Sequence, residues 1–213
     1  MIVLALHTAG PACDIAVVDQ DRTLSQRCVQ MARGQDAELP GLVQQTLAAA
    51  GLALDQIDRF AVISGPGSFT GIRVGVAFAR GLALAVEKPC LGVTTLEAAL
   101  PIGQQGSAIV ALPAQNRPPD LTFWTQTFRT GAATGTAQER SAEALQTLLQ
   151  ARPHMLFGEV EALRPHFPDQ SLHAAQPSAE RAAQVALTLD PDTRTARPTY
   201  ARAPDAALPK PKA

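Results

Sequence analysis

Residues 65–75 read Gly65-Pro66-Gly67-Ser68-Phe69-Thr70-Gly71-Ile72-Arg73-Val74-Gly75. They join a short apolar run, Phe60-Ala61-Val62-Ile63, to a helix-forming stretch of about 71–86 that Lys88-Pro89 ends. Strand, glycine-rich turn and helix make a junction where backbone N–H groups and a positive helix end can hold an anion. Spacing excludes the two common nucleotide loops. A phosphate loop closing on Gly-Lys-Ser/Thr fails because Ile72 follows Gly71, and a dinucleotide fingerprint would need a third glycine where Thr70 stands. Arg73 is the nearby cation. Ser68 and Thr70 have no histidine near them in sequence to activate a hydroxyl, so capping and turn roles fit them.

Further into the helix, Gly67, Gly71, Gly75, Ala79 and Ala83 recur every four residues and so share one face. Gly71, Gly75 and Gly81 each cost about 0.5–1 kcal/mol relative to Ala, which close contact must offset. A flat small-residue row admits another backbone, either from the same chain or from a second subunit. Val74, Phe78 and Leu82 form a separate row that can face a sheet. That division leaves the small-residue row spare for either; if a second subunit takes it, replacing Gly75 with Leu is expected to break the complex while leaving a folded monomer.

Outward from this segment, strands are expected at 2–7, 14–19 and roughly 22–30, with a helix over 38–50 that ends at Gly51. Leu91-Gly92-Val93 reads as another strand, and Thr94 with Glu97 reads as a capping box for a further helix. The second half repeats the pattern more faintly. Strands fit 107–112, 121–128 and about 132–138, and Ser141 opens a helix. Met155-Leu156-Phe157 and a run near Leu172 follow as strands, with a last helix over 178–189. Two tandem β-β-β-α-β-α halves indicate a duplication, divided near 103–107 into domains 1–102 and 103–213. From Asp190 onward five prolines fall in 24 residues, which makes an extended tail or a strap.

Composition narrows the functional classes. Eighteen basic residues (15 Arg, three Lys) balance 19 acidic ones for a net charge of −1, without a basic run. An independent nucleic-acid grip is disfavoured, although a small basic patch fits within that balance. Of 213 residues 39 are Ala and only 4% are aromatic, so apolar faces are shallow and aromatic anchors few. Cys13, Cys28 and Cys90 form no CxxC pair, and the four histidines form no HxxxH or HxxH pair; no metal site is expected. The N-terminus has no basic leader and no apolar stretch reaches 18 residues, so a cytoplasmic, non-membrane protein is expected.

The string GPGSFTGIRVGVAFARGLAL at 65–84 closely resembles the signature of the TsaB family, also called YeaZ. Shorter matches accompany it: Val3-Leu4-Ala5-Leu6 with Thr8-Ala9, Arg33-Gly34-Gln35, Gly92-Val93-Thr94-Thr95-Leu96-Glu97, and the tail Tyr200 to Ala206. The resemblance implies an α/β, duplicated ribonuclease-H-like (actin-like ATPase) fold. It also implies a non-catalytic scaffold subunit in the synthesis of tRNA threonylcarbamoyladenosine. The partners would be TsaD, which transfers the threonylcarbamoyl group, and the ATPase TsaE, with tRNA met only indirectly. Gly67, Gly71, Gly75, Val76, Ala79, Arg80 and Ala83 would form the partner-binding surface of a TsaD heterodimer or a homodimer. Gly65, Pro66, Gly67, Ser68, Phe69, Thr70 and Arg73 would form the signature loop. No catalytic residue, metal or cofactor of its own is implied, with ATP or ADP at the junction with the partner.

The chain departs from the family where relatives read Ile-Asp-Thr in the first strand. Here His7 precedes Thr8, which removes a hard oxygen ligand for a metal. The bland reading of His7 is a strand-end residue with a satisfied hydrogen bond. Gln35 and Glu38 do not replace the partner's paired metal-binding histidines, and Pro113 to Pro119 departs from the usual Asp-Ala-Arg continuation. The alternative is an actin-like nucleotide-binding enzyme, an ATPase or kinase. A self-associating structural protein is a third reading.

Overall fold

Uninterrupted apolar runs form strands covered on both faces. In the computed structural model, which describes residues 1–20, 22–31, 34–117 and 120–200, β1 (Ile2–His7) and β2 (Ala12–Asp19) are buried along nearly their whole lengths. The more polar β3 (Arg22–Gln30) is the edge strand beside β2. β1 runs antiparallel to β2 and parallel to β4 (Arg59–Gly65), which in turn is parallel to β5 (Cys90–Thr94). The sheet order is β3-β2-β1-β4-β5. Helix α1 (Gln35–Ala50) stops at Gly51, whose φ of 69° lets its N–H reach the Ala48 carbonyl. Helix α2 (Phe69–Ala85) opens on Ser68, whose hydroxyl accepts the Gly71 N–H at 3.2 Å.

The second sheet repeats this plan. Its central strand β6 (Ser107–Arg117) is antiparallel to β7 (Asp120–Arg129) and parallel to β10 (Met155–Gly158), with β11 (Leu172–Ala174) beyond. The expected third strand is split into β8 (Ala132–Ala133) and β9 (Gln138–Ser141), both paired with β7. Helix α3 (Ala142–Ala151) is capped by Ser141, α4 (Val160–Leu163) is a single turn, and α5 (Ala179–Thr188) is capped by Ser178. Strand order and direction match in the two sheets, which is the duplication expected from the repeat and the actin-like architecture that the resemblance implies. Arg33, Pro118, Pro119 and the tail motif from Ala201 to Ala206 lie outside the described residues.

One expected helix is absent. Thr94 and Glu97 do exchange the hydrogen bonds of a capping box, at 2.8 and 3.0 Å. Residues 95–99 nevertheless form only consecutive turns, because Leu96, Ala99 and Leu100 pack against Val110, Phe128 and Phe157 of the second sheet. Tertiary burial overrides the local signal. Glu97 is also drawn to Arg194 at 2.6 Å. The halves exchange elements in the other direction too, since α5 lies across β1, β2 and β4 of the first sheet.

Two side chains of the first sheet hold α5 in place. The buried Asp14 carboxylate accepts the Ala179 N–H at 2.7 Å and the Gln26 amide at 3.0 Å. At the other end, the Arg59 guanidinium donates to the Ala186 carbonyl and, at 2.9 Å, to that of Leu189. A negative group thus meets the helix N-terminus and a positive group its C-terminus, each opposite the sign of the macrodipole. Ala179, Ala182, Ala183 and Ala186 are fully buried, and their small side chains let the helix sit low on the sheet. Among the described residues, no helix is long and apolar enough to cross a membrane.

Replacing Asp14 with Ala leaves the α5 N-terminus without its charged acceptor and is expected to lower unfolding free energy by about 2–3 kcal/mol. Urea denaturation measures the loss. A stability equal to wild type would remove Asp14 as the anchor of α5.

Candidate functional site

The β1–β2 hairpin turns through Thr8 to Pro11 directly beneath the N-terminal turn of α2. The Thr8 hydroxyl donates to the Gly71 carbonyl at 2.7 Å, and the Ser68 N–H donates to the Ala9 carbonyl at 2.8 Å. Glycine is required here by distance. A Cβ on Gly67 would stand 2.5 Å from the Ala9 oxygen, one on Gly71 would stand 2.0 Å from the Thr8 carbonyl oxygen, and one on Gly75 would stand 2.3 Å from Thr8 Oγ1. Val76, Ala79 and Ala83 continue this row into the core and are buried.

The small-residue row therefore faces the chain's own first sheet, reversing the division of faces read from the sequence. Gly71, Gly75, Val76, Ala79 and Ala83 are buried by this chain and Gly67 is half-buried against Ala9, so Gly75→Leu would disrupt the fold itself. Periodicity shows that a row exists but not on which side the sheet lies. Val74, Phe78 and Leu82 sit half-buried at the flank of the core. Arg80, alone among the expected partner residues, is exposed.

What α2 leaves outward is Phe69, Thr70, Arg73, Ala77, Arg80, Gly81, Leu84 and Ala85. At its N-terminal end, Phe69 and Tyr200 are 38% and 42% exposed, with ring centroids 5.2 Å apart. The Arg73 guanidinium carbon lies 3.7 Å over the Phe69 ring, and its Nε donates to the Tyr200 hydroxyl at 3.0 Å. Two aromatic rings and a cation thus form one preorganised outward cluster. Tyr200 arrives on the strap. The Gly92 N–H donates to the Arg194 carbonyl and the Ala196 N–H to the Cys90 carbonyl, each at 3.1 Å, and the Thr199 N–H donates to that of Ser64 at 2.7 Å. Gly65 has φ +111°, and a Cβ there would lie 2.5 Å from the Thr199 oxygen. The sequence reading left Tyr200 out of the site. Its signal was a single tyrosine in a chain poor in aromatics.

Within the signature loop, donors are occupied internally: the Ser68 N–H by Ala9, and the Gly71 N–H by the Ser68 hydroxyl. His7 is 5% exposed, and its Nδ1 has no partner, contrary to the satisfied hydrogen bond expected of it. Burial lowers its pKa to about 4, against the opposing pull of Asp14, so the imidazole is neutral at pH 7. Burial pushes the Cys13 thiol up to about 11 and the Cys90 thiol to about 12. No cluster of three metal-ligating side chains exists among the described residues.

Comparison with known proteins bears on this arrangement. The family described as TsaD, tRNA N6-adenosine threonylcarbamoyltransferase, matches residues 30–115. The Escherichia coli K12 tRNA threonylcarbamoyladenosine biosynthesis protein TsaB is 31% identical over 160 residues, which span 75% of this chain and 69% of that protein. The structure of YeaZ from Pseudomonas aeruginosa superposes with a TM-score of 0.71 at 25% identity, covering 93% of this chain and 99% of that one. A ROK hexokinase from Thermus thermophilus shares the fold alone, with a TM-score of 0.52 at 15% identity over 87% of this chain and 97% of its own.

Two outcomes follow from the packing. Gly75→Ala forces a methyl into Thr8 and is expected to cost about 2 kcal/mol, whereas Gly81→Ala, with nothing within 4 Å of the added Cβ, is expected to gain about 0.5–1 kcal/mol. Thermal unfolding of both variants measures the contrast. The second concerns pH. The unfolded His7 imidazole titrates near 6.5 and the folded one near 4, so only the unfolded chain takes up a proton in between. His7 thus contributes full stability above pH 6.5, and about 2 kcal/mol of it is lost between about pH 7 and pH 5. Urea denaturation across that range should show a steeper fall for wild type than for His7→Gln.

Proposed function

The chain belongs to the TsaB (YeaZ) family of tRNA threonylcarbamoyladenosine biosynthesis proteins, and from that membership we propose that it is the non-catalytic subunit that docks and supports TsaD. The observation that carries the reading is the outward cluster of Phe69, Arg73 and Tyr200. Tyr and Arg are the residues that most often dominate interface energetics, and here the side chains hold one another in position before any partner arrives. The glycine row of α2 serves the chain's own fold, so the docking surface lies on the opposite face of that helix, with Ala77 continuing it.

The match of residues 30–115 to the TsaD family supports the same choice. That span holds α1 and α2, so partner and chain would each present a related helical layer. Two like surfaces meet most simply about a pseudo-twofold axis, which serves a heterodimer and a homodimer equally. In this proposal TsaE joins the assembly, ATP or ADP sits at the subunit junction, and TsaD carries the transfer chemistry. The neutral His7 and protonated thiols of this chain supply neither a general base near neutral pH nor a ready nucleophile.

Arg73→Ala and Tyr200→Ala are each expected to weaken binding to the same organism's TsaD about ten- to a hundredfold, without a comparable loss of thermal stability. Light scattering of the mixed proteins gives the complex mass, and titration calorimetry gives the affinity. Wild-type affinity in both variants would move the docking surface elsewhere.

A further inference from the structure

At the C-terminal end of α2 a cleft of about 460 Å³ opens between the helix, β5 and the strap. Three cations from three separate elements line it: Arg80 on α2, Lys88 in the α2–β5 connection and Arg197 on the strap. The rest of its wall includes the small or aliphatic Ala83, Leu84 and Thr195. None of these cations takes part in an ion pair among the described residues. Glu87, the acid in the same connection, does not line the cleft, and Cys90, which does, is held as a neutral thiol by burial. The C-terminal dipole of α2 accounts for a cation at Lys88. It does not account for Arg80 inside the helix or for Arg197, which the strap brings from more than a hundred residues away in sequence.

Convergent like charges without a counter-charge among the described residues raise a local positive potential in a chain whose net charge is only −1. Such a cleft attracts an anion, and its wall identifies the kind. Among the described residues, no aromatic ring lines it to stack a base and no side-chain amide lines it to read a base edge. What remains is attraction to phosphate, the contact that positions a nucleic acid without specifying its sequence. We propose that Arg80, Lys88 and Arg197 form a contact site for the phosphodiester backbone of RNA. This rests on the reading of the chain as a member of a tRNA-modifying assembly, and it adds to that reading a direct RNA contact by this subunit. Arg80 stands about 10 Å along α2 from Arg73, the length of seven helical residues, so the RNA contact adjoins the partner-docking cluster on one helix.

The test titrates unmodified tRNA into full-length wild type and into an Arg80→Gln, Lys88→Gln, Arg197→Gln triple variant. Each is measured alone and mixed with the same organism's TsaD, between about 50 and 200 mM salt. Light scattering reports assembly and thermal unfolding reports folding. The variant is expected to fold like wild type, and the chain measured alone reads the RNA contact apart from assembly. Its log–log slope of affinity against salt should be shallower by about 2 to 3, alone and in the complex, since each neutralised phosphate contributes about 0.7–0.9. Each single variant removes one such step, which keeps the measurement readable if the triple variant misfolds. An unchanged slope in the chain alone overturns the proposal whether or not TsaD binds, whereas failure of wild type to bind TsaD overturns the docking reading and leaves the slope to be judged separately. Loss of assembly with an unchanged slope would give the cleft to an acidic segment of the partner. Tripolyphosphate displacing RNA at equal phosphate concentration would assign it to a small phosphate ligand instead.

Discussion

The clamp on α5 organises the rest of the molecule. Asp14 and Arg59 grip the two ends of this helix with charges opposite to its dipole, and four buried alanines lay it flat on β1, β2 and β4. The helix belongs to the second half of the chain by sequence and to the first sheet by packing. In exchange, Leu96, Ala99 and Leu100 lie on the second sheet. Each half thus covers a face that the other leaves bare.

The same clamp sets the path of everything after it. Arg59 binds the carbonyl of Leu189, the last residue before the strap, and so fixes the point from which the strap departs. From there the chain bridges to the edge of β5 through Thr195, bonds Ser64 through Thr199 and lays Tyr200 on Arg73. Arg197 lies on that path, between the first two of these contacts. The aromatic cluster and the cationic cleft both depend on residues delivered by a proline-rich segment, and its backbone is held by an otherwise open strand edge. Gly65 and Gly92 on the sheet keep room for it, each with a strap carbonyl within 3.3 Å of where a Cβ would stand.

Much of this was legible in the chain. Ser141, Ser178 and Gly51 mark helix ends by mechanisms that operate within one turn, and the structure places them as caps. The apolar runs mark strands, and their repetition marks the duplication. Thr94 and Glu97 show the limit of such reasoning. Their reciprocal hydrogen bonds form as expected, but the helix does not, because Leu96 gains more from the second sheet than from continuing a local ladder. Asp14 illustrates another limit. Nothing near it in sequence foretells that a carboxylate in a buried strand will cap a helix 165 residues away.

By itself the sequence determined most of the element order, the duplicated architecture, the family and the existence of a small-residue row on α2. These rest on local sterics, hydrophobic period and a long, specific signature, all of which are written along the chain. Only the tertiary structure decided which way that row points, that Tyr200 completes the exposed cluster, and that three scattered cations share one cleft. A helix has the same periodicity whichever face meets the sheet. The direction was settled by the Thr8 turn, which fits beneath glycine and would collide with any larger residue there.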